Sequence, residues 1–204
     1  FAVDATDLVV GATLLTSADA ALLAAIQENA TVTEGYDLSI TGDAIILTIS
    51  SADHDVFTAA GEKNLADVSG WSRGSVPAAG ADVYVAGQDT VAVLGDTNIV
   101  YDSITVFDGA TLKVSGAFTL PPVILSYDSR VLFDSGSEVA LPVGAIAAYA
   151  EPATLPVVEV ASGAKALPAS DFEFKNVHLK NYGKIQCATP TYFGTAEVGE
   201  TAYF

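Results

Sequence analysis

Basic residues are scarce in this chain of 204 residues, which has 8 Lys and Arg against 25 Asp and Glu and a formal net charge of −17. Nucleic acids and anionic membrane surfaces require clustered Lys and Arg, so the sequence predicts neither as a partner. The acidic balance is compatible with divalent cations, with a salty medium, or with a role in solubility alone.

Cysteine is nearly absent, and methionine and long apolar runs are absent. The one cysteine, Cys187, cannot form an internal disulfide, and we interpret it as a small buried hydrophobic residue, with an intermolecular link as the alternative. A chain without Met that begins Phe1-Ala2-Val3-Asp4 favours a secreted or cell-surface protein whose signal peptide has been removed. No apolar run approaches the roughly 20 residues that a membrane span needs, so we expect no membrane span.

Charged residues make up only 16% of the chain, whereas 50% of it is hydrophobic. The surface must then consist largely of Ser, Thr, Gly and Ala, which favours an all-β protein. Disorder does not fit this composition. The length fits one domain, or one domain with a small annex, that buries a substantial core.

One segment, residues 16–27, has a helical pattern. Ser17 is placed to cap the helix, and Asp19 lies in the first turn, where the helix dipole favours a negative charge. The apolar residues on one face are Leu22, Leu23 and Ile26.

The sequence after the helix consists of short apolar runs separated by Gly, Asp, Ser and Pro, which is typical of β-strands. The runs predicted as strands are Leu38–Ile40, Ile45–Ile49, Val83–Val85, Thr90–Val93, Ile104–Val106, Thr111–Val114, Val123–Leu125, Val131–Phe133, Val157–Val160 and Val177–Leu179.

Glycine recurs behind these runs at a nearly constant spacing of about 20 residues, with one longer interval between positions 136 and 163. The longer interval contains an inserted segment rich in Pro and Ala, residues 147–156. A turn needs glycine where φ is positive or where a side chain has no space, so we predict one recurring corner. The predicted structural corner glycines are Gly95, Gly116, Gly136, Gly163 and Gly183.

A period of about 20 residues accommodates three strands and three turns, which is one rung of a parallel β-helix, or β-solenoid. Residues 1–60 would form a cap that contains the helix and the first strands, and residues 61–204 the solenoid repeats with a carboxy-terminal tail. The helix would protect the open edge of the first rung. A β-sandwich is the alternative, but it predicts no repeat in register.

Residues 64–87 contain Asn64, Trp71, a turn of small residues, Pro77 and a strand, and Gly-Ala-Thr-Leu-Lys-Val-Ser-Gly follows at 109–116. This stretch resembles the start of β-helical modules in bacterial surface and autotransporter-passenger-like extracellular proteins. It departs from their pattern where Gly80-Ala81-Asp82 replaces a Gly-Asp pair. The resemblance, over residues 64 to 141, implies a surface location and a β-solenoid fold, and no catalytic residue carries over.

Ser72 lies at the centre of Gly-Trp-Ser-Arg-Gly, residues 70–74, which matches the G-x-S-x-G of a hydrolase nucleophile elbow. An elbow needs a buried strand before the serine and a helix after it, and neither residues 62–67 nor residues 74–77 predict one. We interpret Ser72 as a turn residue beside an anchoring Trp71.

Polysaccharide-cleaving β-helices need clustered carboxylates with basic residues. The sequence has no Asp-Asp pair, no Gly-His-Gly and no Arg-x-Lys, so we predict no catalytic residues, no enzyme and no cofactor. Oxygen-rich turns suit calcium, which is a candidate ligand without an assigned site. The aspartates at predicted turns are Asp96, Asp102, Asp108, Asp128 and Asp134.

Two functions stay open. The first is an extracellular structural or adhesive module that self-assembles into a filament or surface layer, with other copies or neighbouring domains as partners. The second is a glycan-binding or glycan-cleaving β-helix, which a row of outward aromatics would favour. Asn29-Ala30-Thr31 is an N-glycosylation sequon, which makes Asn29 a candidate acceptor in a turn after the helix. The tail after Gly183 has apolar groups and no second helix to cover them, so we expect it to pack against a neighbouring subunit.

Overall fold

The computed structural model describes residues 2–4, 13–51, 53–95, 99–126, 128–148 and 155–187, together with the backbone of residues 193–198. The chain is rich in strands, which confirms the predicted class. It forms two compact units, Phe1–His54, called the amino-terminal unit, and Asp55–Phe204, called the carboxy-terminal unit.

The amino-terminal unit combines a short helix with antiparallel and parallel strands. Strand β1 pairs in parallel with β3, and a three-stranded antiparallel sheet has the order β2-β5-β4. A tight turn containing Gly42, with φ at 62°, joins β4 to β5. The elements are β1 (Ala2–Val3), β2 (Thr13–Thr16), α1 (Ala20–Asn29), β3 (Thr31–Val32), β4 (Tyr36–Thr41) and β5 (Ala44–Ile49).

Helix α1 begins later than predicted, because the residues before it pair with β5. Asp19 is the N-cap, and its carboxylate accepts hydrogen bonds from the backbone N–H groups of Ala21 and Leu22 at 3.0 and 3.1 Å. The hydroxyl of Ser17 instead accepts a hydrogen bond from the backbone N–H of Asp19. The prediction of Ser17 as the cap was therefore wrong.

The core of the amino-terminal unit is small. Leu23 of α1 packs against Leu38, Ile45 and Leu47 of the sheet. Leu22 is 47% exposed whereas Leu23 is buried, so the predicted common apolar face of Leu22 and Leu23 does not pack as a unit against the sheet. Among the described residues, no helix has the length and apolar character needed to cross a membrane.

The carboxy-terminal unit consists of short strands and one 3₁₀ turn at Val68–Gly70. Its strands are β6 (Asp55–Phe57), β7 (Gly61–Asn64), β8 (Asp82–Ala86), β9 (Thr90–Leu94), β10 (Ser103–Phe107), β11 (Thr111–Val114), β12 (Ala117–Thr119), β13 (Val123–Leu125), β14 (Arg130–Phe133), β15 (Glu138–Leu141), β16 (Ile146–Ala148), β17 (Val157–Val160), β18 (Lys165–Pro168), β19 (Phe174–Asn181), β20 (Lys184–Ile185) and β21 (Phe193–Val198).

These strands form three parallel sheets. The five-stranded sheet has the order β16-β13-β10-β8-β6, the seven-stranded sheet β21-β19-β17-β14-β11-β9-β7, and the four-stranded sheet β12-β15-β18-β20. The chain visits the five-, seven- and four-stranded sheets in turn from β10 to β12, and repeats this order from β13 to β15 and from β16 to β18. The β-sandwich alternative was wrong for this unit, because a sandwich needs antiparallel sheets.

The pairing register connects residues that lie about one predicted period apart. Leu112 of β11 pairs with Ala92 of the preceding strand in its sheet and with Val131 of the following one. Val131 in turn pairs with Val158 over a longer interval, which includes the segment 147–156 that the sequence identified as an insertion. The glycine spacing therefore follows the spacing of paired strands.

In most of the strands whose side chains are described, alternate side chains point inward, and they form one hydrophobic cluster that draws on all three sheets. The five-stranded sheet contributes Ile104, the seven-stranded sheet Leu112 and Val131, and the four-stranded sheet Val139, each 0% exposed. The remaining side chains of these strands face outward and form the surface of the unit.

Candidate functional site

Ser72 lies in a structural turn. The 3₁₀ turn precedes it, and the segment that follows consists of turns and bends up to β8, so neither half of a nucleophile elbow is present. The Ser72 hydroxyl accepts a hydrogen bond from the backbone N–H of Val56 at 3.3 Å. Its neighbour Trp71 is 4% exposed, and its indole N–H donates to the carbonyl of Leu65 at 2.8 Å. The motif therefore anchors a loop to the core.

Four of the predicted corner glycines lie in four equivalent turns, each of which leads from a strand of the seven-stranded sheet to a strand of the four-stranded sheet. We call a turn at this position a glycine turn. Gly116, Gly136 and Gly163 have φ at 98°, 82° and 84°, a backbone conformation that residues other than glycine rarely adopt. Gly183 has no positive φ, but an added Cβ would lie 2.4 Å from the carbonyl oxygen of Ala161. The glycine turn thus requires glycine for two different physical reasons.

Gly95 follows β9 but occupies a different register from Gly116. Leu94 pairs with Val114, and the N–H of Ser115 donates to the carbonyl of Leu94, so Gly95 lies beside Ser115. The interval from Gly95 to Gly116 is therefore one position longer than the strand register. A Cβ at Gly95 would lie 3.2 Å from the side-chain nitrogen of Asn64.

Aspartates occupy two turns that lead from the five-stranded to the seven-stranded sheet. Asp108 and Asp128 in these turns have φ at 54° and 56°, and Asn176, at the register irregularity within β19, has φ at 54°. Asx side chains tolerate this left-handed conformation better than most residues. Burial raises the pKa of the Asp108 carboxyl. Among the described residues, no three His, Cys, Asp or Glu side chains group to hold a metal ion, and Asp96 lies outside them.

Asn29 is the last residue of α1 rather than a residue of a following turn. It is exposed, and its side-chain amide donates to the carbonyl of Ala25 at 2.8 Å. The sequon residue Thr31 is also exposed, at the start of β3. Cys187 is half-buried, more exposed than the buried hydrophobic residue that we predicted.

Ion pairs between neighbouring and more distant strands cover the outer side of the seven-stranded sheet. The ammonium group of Lys113 lies 3.0 Å from a carboxylate oxygen of Glu62 and 3.1 Å from one of Asp134, and these two partners raise the pKa of Lys113. Arg130 donates to Glu159 at 2.6 Å. Carboxylates therefore neutralise Lys113 and Arg130 on this face.

The outer side of the four-stranded sheet is neutralised less completely. Glu138, Lys165 and Lys184 follow one another in register on β15, β18 and β20. The ammonium group of Lys165 lies 2.7 Å from a carboxylate oxygen of Glu138. Lys184 is exposed, and no ion pair joins it to another described residue.

A cleft of about 250 Å³ lies between two successive glycine turns, residues 162–165 and 182–184. Lys165 and Lys184 lie at its edge, and Tyr182 contributes to its lining. We call this the lysine cleft. The sequence analysis identified the corner glycines but did not predict the lysine cleft. The signal was a lysine one or two residues after Gly163 and after Gly183.

The basic residues are distributed unevenly along the chain. The amino-terminal unit, Phe1–His54, contains eight Asp and Glu and no Lys or Arg, whereas residues 55–204 contain all eight basic residues. The described carboxylates of the amino-terminal unit are all exposed, at Asp4, Asp19, Glu28, Glu34, Asp37, Asp43 and Asp53.

No known protein family, no curated protein and no solved structure matches this chain.

Proposed function

We propose that the carboxy-terminal unit is a parallel β-helix and that the protein is an extracellular structural or adhesive module that assembles with other copies of itself. The observation that carries this proposal is the repeated order of three parallel sheets around one core, with paired residues about one period apart. In such a stack each strand bonds to the strands before and after it, which produces a stiff element whose function is its shape.

The ends of the sheets supply the contact for assembly. Strands β16, β20 and β21 each end a sheet and have one paired neighbour among the described strands. A free parallel edge presents unpaired backbone N–H and C=O groups, which another chain can bind. A contact between unlike ends of two copies is heterologous, and it propagates into a filament when its rotation does not close.

The glycan-directed alternative has less support. Sugar-binding faces need exposed aromatic rings, whereas most of the described aromatics of this unit are inside, at Phe57, Trp71, Tyr101, Phe107, Phe133, Phe172 and Phe174. Tyr84 is an aromatic residue at an outward strand position, half-buried on β8, and its register partner on β10 is Thr105. We therefore propose a structural role without catalysis.

The proposal is tested by measuring the mass of the intact chain by light scattering over a wide range of concentrations, with electron microscopy of the most concentrated sample. We expect association that grows with concentration and elongated particles. A chain that ends at Cys187 lacks β21 and should associate less, while circular dichroism verifies that its strands are retained. Ser72→Ala is the matched control and should associate like the original chain. A full-length chain that stays monomeric throughout would overturn the proposal.

A further inference from the structure

We infer that the lysine cleft binds a carboxylate from the amino-terminal unit of a second copy, so that this charge contact joins successive subunits. This inference rests on the proposed self-assembly and adds the residues that perform it. Strands β18 and β20 carry an unfavourable arrangement of charge.

Lys165 and Lys184 are direct partners in the parallel pairing of β18 with β20. Neighbouring strands lie about 4.8 Å apart, and like charges in register on them are destabilising. Among the described strand pairs, this is the one place where two side chains of like charge face each other in register. In a chain with 8 basic residues, two of them are thus placed where they repel each other.

The arrangement lacks a second anion. Glu138 lies on the far side of Lys165 from Lys184, because the register order is Glu138, Lys165, Lys184. It therefore neutralises Lys165 through the 2.7 Å ion pair and leaves the charge of Lys184 uncompensated by any described residue. An oxyanion bound in the lysine cleft would compensate the charge of Lys184 through a charge-assisted hydrogen bond and so relieve the repulsion with Lys165.

The lysine cleft has room for such a group. Its volume is about 250 Å³ and it is open to solvent, so a carboxylate can enter it. The floor is formed by glycine turns, and Gly163 is exposed. The cleft is open to a side chain that approaches from another molecule.

The amino-terminal unit supplies the matching charge. It has eight carboxylates and no Lys or Arg to neutralise them, and those that the structure describes are exposed. A second copy therefore brings a concentrated negative surface to the lysine cleft. Complementary charges of this kind steer association and disfavour contacts that bring like charges together.

The experiment uses three full-length variants and light scattering at low ionic strength. Lys165→Glu/Lys184→Glu reverses the lysine cleft. Glu34→Gln/Asp37→Asn/Asp43→Asn removes three exposed carboxylates from the amino-terminal unit. Arg73→Glu/Lys175→Glu is the matched control, because it changes the net charge as much as the cleft variant does at two exposed sites outside the cleft.

We expect the cleft variant to raise the dissociation constant for assembly at least about tenfold, because attraction becomes repulsion, and the control to change it by less than about twofold. The carboxylate variant should also associate more weakly. An equimolar mixture of the cleft variant and the carboxylate variant should form dimers that do not grow, since each variant retains one working surface.

The outcomes separate this inference from the proposed function. If the original chain assembles and the cleft variant assembles equally well, or if the control loses as much affinity as the cleft variant, the inference is wrong and self-assembly stands. If the mixture contains no dimers, the second copy is not the occupant. If the original chain does not assemble, both proposals are wrong. Sulfate that binds by calorimetry only when both lysines are present, without an effect on assembly, would instead identify a small-anion site and overturn the inference.

Discussion

The two units of this chain reach a β-rich structure by different routes. In the amino-terminal unit, β4 and β5 are consecutive strands that pair through a tight turn, so the pairing is local in sequence. In the carboxy-terminal unit, every described strand pair is parallel and joins residues far apart in the chain. Parallel strands need a long connection, and here that connection is made of the strands of the two other sheets.

The difference extends to charge and core. The amino-terminal unit has a small apolar cluster around Leu23 and Leu47 and no Lys or Arg. The carboxy-terminal unit has one hydrophobic cluster, to which all three sheets contribute side chains. Its outward residues form ion pairs between strands, such as Lys113 with Glu62. In a stack of parallel strands, the same outward position recurs on each strand, so like charges there would repel one another along the whole sheet. Opposite charges on neighbouring strands avoid this repulsion.

The largest expected effect comes from the two cores. Leu112 and Leu47 are both 0% exposed, one in each unit. We expect Leu112→Ala to destabilise the carboxy-terminal unit by about 4 kcal/mol and Leu47→Ala to destabilise the amino-terminal unit by about 2–3 kcal/mol, because a smaller core collapses more easily around the cavity. Hydrogen exchange followed by mass spectrometry reads the two units separately.

Each substitution should raise exchange mainly in its own unit. If Leu112→Ala increased exchange equally in β4 and β5, the two units would unfold together, and the contrast between them would not extend to stability.

A smaller effect distinguishes the two kinds of glycine in the glycine turn. At Gly183 an added Cβ would lie 2.4 Å from one backbone oxygen and 2.6 Å from another, so we expect Gly183→Ala to cost roughly 3 kcal/mol. At Gly136 nothing lies within 4 Å of the added Cβ, and only the positive φ opposes it, so Gly136→Ala should cost roughly 1 kcal/mol. Urea unfolding of both variants measures the difference, and equal losses would contradict the distinction between crowding and backbone conformation.

Sequence patterns predicted the strands of the five- and seven-stranded sheets better than those of the four-stranded sheet. All ten predicted runs lie in strands. They are rich in β-branched residues, which favour the half-buried surface of a β-sheet over other secondary structure. The four-stranded sheet was missed, since strands such as Ala117–Thr119 and Lys165–Pro168 are short and contain Ala, Lys or Pro. Their pairing with neighbouring strands, rather than their own propensity, makes them strands.

The candidate site was harder to predict. Glycines at the turn were visible in the sequence, because backbone conformation and crowding restrict residue type strongly. The lysine cleft depends on the register of β18 with β20, which brings Lys165 beside Lys184 although the two are distant in sequence. The helix start was misplaced because Ser17 and Asp19 both fit a cap, and only the pairing of β2 with β5 decides between them.

The smallest expected effect is a loss of stability at alkaline pH that is confined to the carboxy-terminal unit. Burial, with the nearby carboxylate of Asp55, raises the pKa of Tyr101 above its usual 10.0, and Glu62 and Asp134 raise the pKa of Lys113 above its usual 10.5. In both cases the folded pKa exceeds the unfolded one, so the stabilisation is complete below the unfolded pKa and disappears as pH rises through the folded pKa. We therefore expect the urea midpoint of this unit to fall as pH rises above about 10, and the fall to be smaller in Tyr101→Phe, which cannot ionise at that position. The amino-terminal unit, which has no Lys or Arg, should lose less over the same interval, as measured by hydrogen exchange. An equal loss in both units, or an unchanged slope in Tyr101→Phe, would contradict the expectation that ionisation of Tyr101 and Lys113 distinguishes the units.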